Sequence, residues 1–137
     1  MKTGACAVML RGSEILLGKR SATRKFYPDV WDLLGGHCEP GEQLEQTLVR
    51  ELREELDIVP SRFRKIDVLT EPNTAANGEY RYHVFLVDTW IGTPHNCQPQ
   101  EHAEIRWFPI EAALGLKLAH PNYPHLFKAV TTYASSP

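Results

Sequence analysis

Apolar residues recur along this chain with two different periods, and the change between them sets the expected order of elements. Residues 5–10 (ACAVML) and 14–20 (EILLGKR) are apolar runs flanking the turn Arg11-Gly12-Ser13, which predicts a β-hairpin. Residues 21–30 are a polar loop, and WDLL at 31–34 is a short strand candidate ending at Gly35-Gly36. The period then lengthens. Leu44, Leu48, Leu52 and Leu56 recur at every fourth position among good helix formers, which predicts a helix over 42–56. Strand patterning returns at 64–71. After a loop at 72–79, the run 80–91 is apolar enough in its middle for burial on both faces. A second polar loop covers 92–103, a short strand 104–109, a short helix 110–116 and a terminal helix 123–134. Strands on both sides of the main helix, without regular βα alternation, predict one domain over 1–137. Its expected class is α/β (α+β), a mixed sheet with helices packed against it and not a doubly wound parallel fold.

Composition adds limits. The chain has 137 residues, 42% hydrophobic and 23% charged, the profile of an ordinary globular protein. A net charge of −2 argues against nucleic acid as a partner but leaves room for a small anionic ligand held locally. Cys6, Cys38 and Cys97 form no CxxC pair, which speaks against a zinc or disulfide framework and for a reducing, cytoplasmic compartment. No segment reaches the length of a membrane span, so no membrane association is expected.

The chemistry concentrates in GGHCEPGEQLEQTLVRELREELDI, residues 35–58, where Glu42, Glu45, Glu51, Glu54 and Glu55 fall within fourteen positions. At about 100° per residue, Glu51, Glu54 and Glu55 cluster beside the leucine stripe, while Glu42 and Glu45 lie near the helix start, where negative charge suits the macrodipole. One reading is a solvated acidic face screened by Arg50 and Arg53. The other is a cation site. Like charges three and four apart repel unless a cation sits among them, and a glycine-rich turn lets backbone approach a ligand. Three carboxylates on one helical turn suit a hard divalent ion such as Mg²⁺, which also takes phosphate oxygens.

These residues resemble the Nudix box. Gly36, Glu42, Arg50, Glu51, Leu52, Glu54, Glu55 and Ile58 stand at its defined positions, with Gly35, Glu39 and Gly41 in its common extension. The departure is Asp57 where glycine is usual, at a helix end where a left-handed residue is common and Asp tolerates that conformation. The likeness covers roughly residues 4–130 and implies a mixed sheet sandwiched between helices. It also implies a metal-dependent hydrolase, MutT-like, cleaving a pyrophosphate bond in a nucleoside diphosphate linked to some group X. By that resemblance Glu51, Glu54 and Glu55 ligate Mg²⁺ or Mn²⁺, with the Gly35 carbonyl a further ligand. Glu51 also orients water, and Arg50 pairs with Glu42 or a neighbouring carboxylate. Glu104 is the candidate for an additional acid from the later loop, with Glu101 behind it.

The group X is less constrained. Arg20 resembles a family arginine that contacts substrate phosphate, and is otherwise an exposed strand end. HPNYPHL resembles the MutT-type segment whose Asn reads an oxidised guanine, a role for Asn122, whose alternative is capping the last helix. Phe26, Tyr27, Trp31, Tyr82 and Trp107 could stack a base or serve as core. Trp31 is taken as the candidate among them for substrate contact. Cys38 lacks a nearby base for a nucleophile, and His37 and His83 read as loop and strand residues. A (deoxy)nucleoside triphosphate, such as an oxidised purine, is the favoured substrate. ADP-ribose, coenzyme A or another nucleoside diphosphate derivative remain alternatives. So do an isopentenyl diphosphate isomerase and a non-catalytic nucleotide-binding module. Both monomer and homodimer are compatible with the sequence.

Overall fold

A computed structural model describes residues 1–134. In chain order the elements are β1 (Lys2–Arg11), β2 (Glu14–Arg20), β3 (Trp31–Asp32), β4 (Leu34–His37) and α1 (Leu44–Leu56). They continue with β5 (Val59–Thr70), α2 (Thr74–Asn77), β6 (Tyr80–Ile91), β7 (His102–Pro109), α3 (Ile110–Ala113) and α4 (Tyr123–Ala134). Among the described residues seven strands form one sheet ordered β3-β2-β1-β6-β5, with β4 added to β1 and β7 to β2. The β1–β6 pair is parallel and the other pairs are antiparallel, so the sheet is mixed as the patterning implied.

Strand alternation feeds two cores. Ala5, Ala7 and Met9 of β1, Leu16 of β2, and Phe85 and Val87 of β6 face Leu48, Leu52 and Leu56 of α1. Their neighbours Val8, Leu10, Ile15, Leu17, Val84 and Leu86 face the opposite way, onto Tyr123, Leu126, Phe127 and Val130 of α4. The middle of β6, Val84 to Val87, is buried throughout, because helices cover both faces of the sheet. This is the helix–sheet–helix sandwich expected from the sequence.

Several boundaries differ from the sequence reading. The strand expected over 31–34 is split: Trp31-Asp32 pairs with β2 as β3, while β4 begins at Leu34 and runs through both glycines along β1. A Cβ on Gly35 would lie 2.2 Å from the Ala5 carbonyl oxygen, so only glycine lets β4 pair this closely with β1. β5 begins five residues earlier than expected. Pro60 hides its start, and proline is tolerated there because β5 is an edge strand with register shifts around Arg62. The loop expected at 72–79 contains α2, whose Asn73 side chain accepts from the Ala76 amide at 3.2 Å. The helix expected over 110–116 ends at Ala113.

Candidate active site

Helix α1 is started by Gln43, whose backbone N–H donates to the Gln46 side chain at 2.8 Å. It is ended by Asp57 in the left-handed conformation (φ 56°), with its N–H on the Arg53 carbonyl at 3.0 Å. Between these ends the leucine stripe is fully buried and fixes the helix rotation. That rotation turns Glu51 toward β4, where a Cβ on Gly36 would meet the Glu51 carboxylate at 2.6 Å. The two glycines therefore serve different neighbours. Gly35 admits β1, and Gly36 admits the carboxylate.

Arg50 ties the acids together. It makes a two-pronged contact with Glu42 at 2.8 and 2.9 Å and reaches Glu51 at 3.0 Å and Glu54 at 3.3 Å. Its remaining N–H bonds the His37 carbonyl at 2.9 Å. Glu42 also accepts from the Thr47 hydroxyl at 2.6 Å, and the Arg50 guanidinium is the main cause that holds its carboxyl down at about 2. Glu42 is thus an ionised anchor, and Arg50 is the strut that orients Glu51 and Glu54.

The three clustered glutamates differ in environment. Glu54 is exposed, Glu51 is half-buried and Glu55 is 4% exposed. Burial, reinforced by the charge of Glu55, pushes Glu51 up to about 7 despite Arg50. Burial also raises Glu55, partly offset by His102, whose Nε2 lies 3.0 Å from Glu55 Oε1. The other oxygen of Glu55, Oε2, is buried and makes no hydrogen bond of normal geometry, although the nearby Gly35 backbone also acts to lower the carboxyl. Ligand atoms of Glu55, His102 and Glu101 lie within 4.8 Å of one another. A buried carboxylate oxygen with no hydrogen bond of normal geometry, beside a second carboxylate forced toward its neutral form, is the signature of a place built for positive charge. The residues therefore fit a divalent cation.

Beside these acids opens a cleft of about 330 Å³. Its lining joins Glu51, Gly35, Gly36 and Glu101 with the rings of Tyr27, Tyr80, Tyr82 and His120. Tyr80 and Tyr82 stack at 4.2 Å, and the Tyr80 hydroxyl shares a 2.6 Å hydrogen bond with His37 Nδ1. Lys2, Arg20 and Arg24 add positive charge to the lining.

The substrate candidates are distributed unevenly. Arg20 lines the cleft, and three of its N–H groups are engaged by the carbonyls of Phe26 (2.7 Å) and Tyr27 (2.9 Å) and by Asp32 (3.1 Å). Trp31 is buried and packs edge-on against Phe108 at 4.8 Å, so it lies in the core and not on the cleft. Asn122 is exposed, and its backbone N–H donates to His120 Nδ1 at 3.0 Å. It is His120 and Tyr123 on either side that line the cleft. Glu104 pairs with Arg106 at 2.8 Å, and the cleft acid of that region is Glu101. A bulge separates the two environments: Lys19 pairs with Glu104 but Arg20 pairs with His102, so Ala103 is the extra residue.

The NUDIX domain family matches residues 1–130. The chain belongs to the Nudix family. Among relatives of this Nudix chain, nucleoside triphosphatase NudI of Salmonella agona is 32% identical over 122 residues, covering 82% of this chain and 86% of that protein. Two solved structures share its fold at a TM-score of 0.78. The MutT Nudix hydrolase of Burkholderia pseudomallei is 26% identical, covering 92% of this chain and 94% of that one. The E. coli ORF135 protein is 30% identical, covering 98% and 91%. Nudix family members are pyrophosphohydrolases, and this chain is a Nudix hydrolase. No helix among the described residues is long and apolar enough to cross a membrane.

Two residues of this Nudix cleft, Tyr80 and Glu71, escaped the sequence reading, as did His102, which bonds Glu55 behind it. His102 sits just ahead of the expected strand and carries no motif of its own. Tyr80 and Glu71 lie well past the box helix, in segments read as plain strand. Alternation alone could not place His102, because the bulge at Ala103 changes the phase of β7.

Proposed function

We propose that the chain hydrolyses nucleoside triphosphates to the monophosphate and pyrophosphate, with Mg²⁺ (or Mn²⁺) held at Glu51, Glu54 and Glu55. The observation that carries this is the cleft itself. Glu51 and Glu101, at the edge of an acidic corner fitted for a cation, line the same cavity as stacked aromatic rings, which is what a phosphate chain joined to a base requires. The 32% identity to a relative named as a nucleoside triphosphatase supports the same class. In this reading the Gly35 carbonyl and Glu101 complete the ligand set. The oxidised-purine variant of the proposal loses support, since the Asn122 on which it rested is exposed beside the cleft.

The residues divide the work. When bound, the metal would neutralise phosphate charge and lower the pKa of water. Arg50 holds Glu51 and Glu54 in fixed geometry, itself held by Glu42. Glu51, which borders the cleft and is held by Arg50, is the group suited to orient the attacking water. His102 fixes the orientation of Glu55. Arg24, with one long 3.5 Å bond to the Glu101 carbonyl, is the guanidinium with the most donors to offer phosphate, whereas Arg20 commits most of its donors to its loop and to Asp32.

A hydrolysis screen tests this. It should include canonical and oxidised deoxynucleoside triphosphates, ADP-ribose, coenzyme A and nucleotide sugars, with and without Mg²⁺. Triphosphates should be the best substrates, and Glu51→Gln and Glu54→Gln should each lose activity. Unchanged rates in both variants, or a preference for ADP-ribose or coenzyme A, would overturn the proposal.

A further inference from the structure

At the aromatic side of the cleft lies a second carboxylate, Glu71, 5% exposed and remote in sequence from the box. Its Oε1 accepts from the Tyr27 hydroxyl, from Asn77 Nδ2 at 3.1 Å and from the Asn73 amide at 3.1 Å. Its Oε2 accepts only from the Tyr82 hydroxyl, at 3.2 Å. A carboxylate offers about four acceptor sites, two on each oxygen. The loop donors therefore saturate Oε1, and the open acceptor position is on Oε2.

Two features speak for more than a structural role. A glutamine could hold the loop equally well, because every loop donor falls on one oxygen. A buried charge is the costlier choice for that purpose alone. Burial alone would raise this carboxyl, but the hydrogen bonds from Tyr27, Asn77, the Asn73 amide and Tyr82 reverse the effect and hold it below the usual range. Glu71 therefore remains ionised and accepts only. In addition, Tyr27 adopts a left-handed backbone (φ 50°), a costly conformation for an aromatic residue. Arg20 holds it there through the carbonyls of Phe26 and Tyr27, and the result is a Tyr27 hydroxyl on Glu71. The strand-end arginine thus serves the Glu71 corner.

We propose that Glu71 reads the nucleobase. Its Oε2 accepts a hydrogen bond from an exocyclic amino group of a base seated by the Tyr80–Tyr82 stack, so that amino-bearing bases are favoured over their oxo counterparts. The proposal rests on the nucleoside triphosphate reading and specifies its base. An oxo group in the same place would set two acceptors against each other at the open position of Oε2.

The test compares dCTP with dUTP, a pair that differs at the amino-or-oxo position and in the adjoining ring proton. The wild-type enzyme should turn over dCTP with kcat/KM at least about 10-fold above dUTP, the scale of one hydrogen bond to a charged group. Glu71→Gln, which adds a donor and keeps the shape, should bring the two to within about 2-fold of each other. Thermal unfolding of the variant checks that the loop still folds. Should it not fold, competition on the wild-type enzyme gives the second reading: dCMP should inhibit at concentrations about 10-fold below dUMP. Equal loss for both substrates in Glu71→Gln, or equal inhibition by the two monophosphates, would overturn the inference while leaving triphosphate hydrolysis intact. Absence of turnover with any triphosphate would overturn both.

Discussion

Replacing Glu51 by glutamine should make the metal-free protein more stable at alkaline pH while removing its activity. The carboxyl of Glu51 stands at about 7 in the folded chain against an ordinary 4.5, because it is buried beside Glu55. A folded pKa above the unfolded one means that the folded state binds the proton more tightly. Stability from this group is fully present below about 4.5 and is lost as pH rises through about 7. The rise from 4.5 to about 7 sets an upper limit of about 3 kcal/mol. Glu51 borders the open cleft, and Arg50 would keep Glu42 and Glu54 in the variant, so solvent screening reduces the expected gain to about 1–2 kcal/mol. For a chain of this length that is a rise of roughly 4–8 °C in Tm. The assay is thermal unfolding in EDTA at pH 5 and pH 8. Glu51→Gln should melt higher than wild type at pH 8, with the difference much reduced at pH 5. Millimolar Mg²⁺ should stabilise the wild-type protein and not the variant. A variant that melts lower at pH 8, or by the same margin at both pH values, would refute the claim that the site stores unfavourable charge for a cation.

Other expectations follow from the same geometry. Apparent Mg²⁺ affinity, measured by calorimetry, should increase as pH rises through about 7, since binding must displace the Glu51 proton. Gly36→Ala should cost about 100-fold in kcat with the circular dichroism spectrum unchanged, because its Cβ would displace the Glu51 carboxylate from 2.6 Å away. Glu42→Gln should weaken Mg²⁺ binding by about 10-fold, since Arg50 loses its two-pronged anchor; an unchanged calorimetric titration would argue against that strut. Glu104→Gln should leave kcat/KM within about 2-fold of wild type, as expected of an exposed ion pair, while Glu101→Gln lowers it; the reverse order would return the later-loop acid to Glu104.

Local patterns carried much of this account. The four-residue leucine repeat located α1 to within two residues, and the tolerance of aspartate for left-handed backbone accounts for Asp57 as its end. The apolar centre of β6 indicated a sheet covered on both faces. What the sequence could not convey were contacts made across the fold. Glu51, Glu54 and Glu55 look equivalent on a helical wheel, yet their burial differs because β4 and His102 cover one side of the helix and not the other. His102 and Glu104 would share a face in a regular strand, and one extra residue at Ala103 separates them. Trp31 could not be told from a stacking residue until Phe108, distant in sequence, was seen to enclose it. Arg20 reads as a phosphate contact by position, but the left-handed turn at Tyr27 that occupies it has no sequence signal.

The central claim is that the acidic corner and the aromatic cleft act together on one nucleoside triphosphate. Product analysis of dCTP turnover, in wild type and Glu55→Gln, tests it most directly. Turnover should give dCMP and pyrophosphate in equal amounts, dependent on Mg²⁺ and reduced by at least about 100-fold in the variant, where the buried carboxylate charge is lost. Release of orthophosphate, or turnover that survives both EDTA and Glu55→Gln, would contradict it.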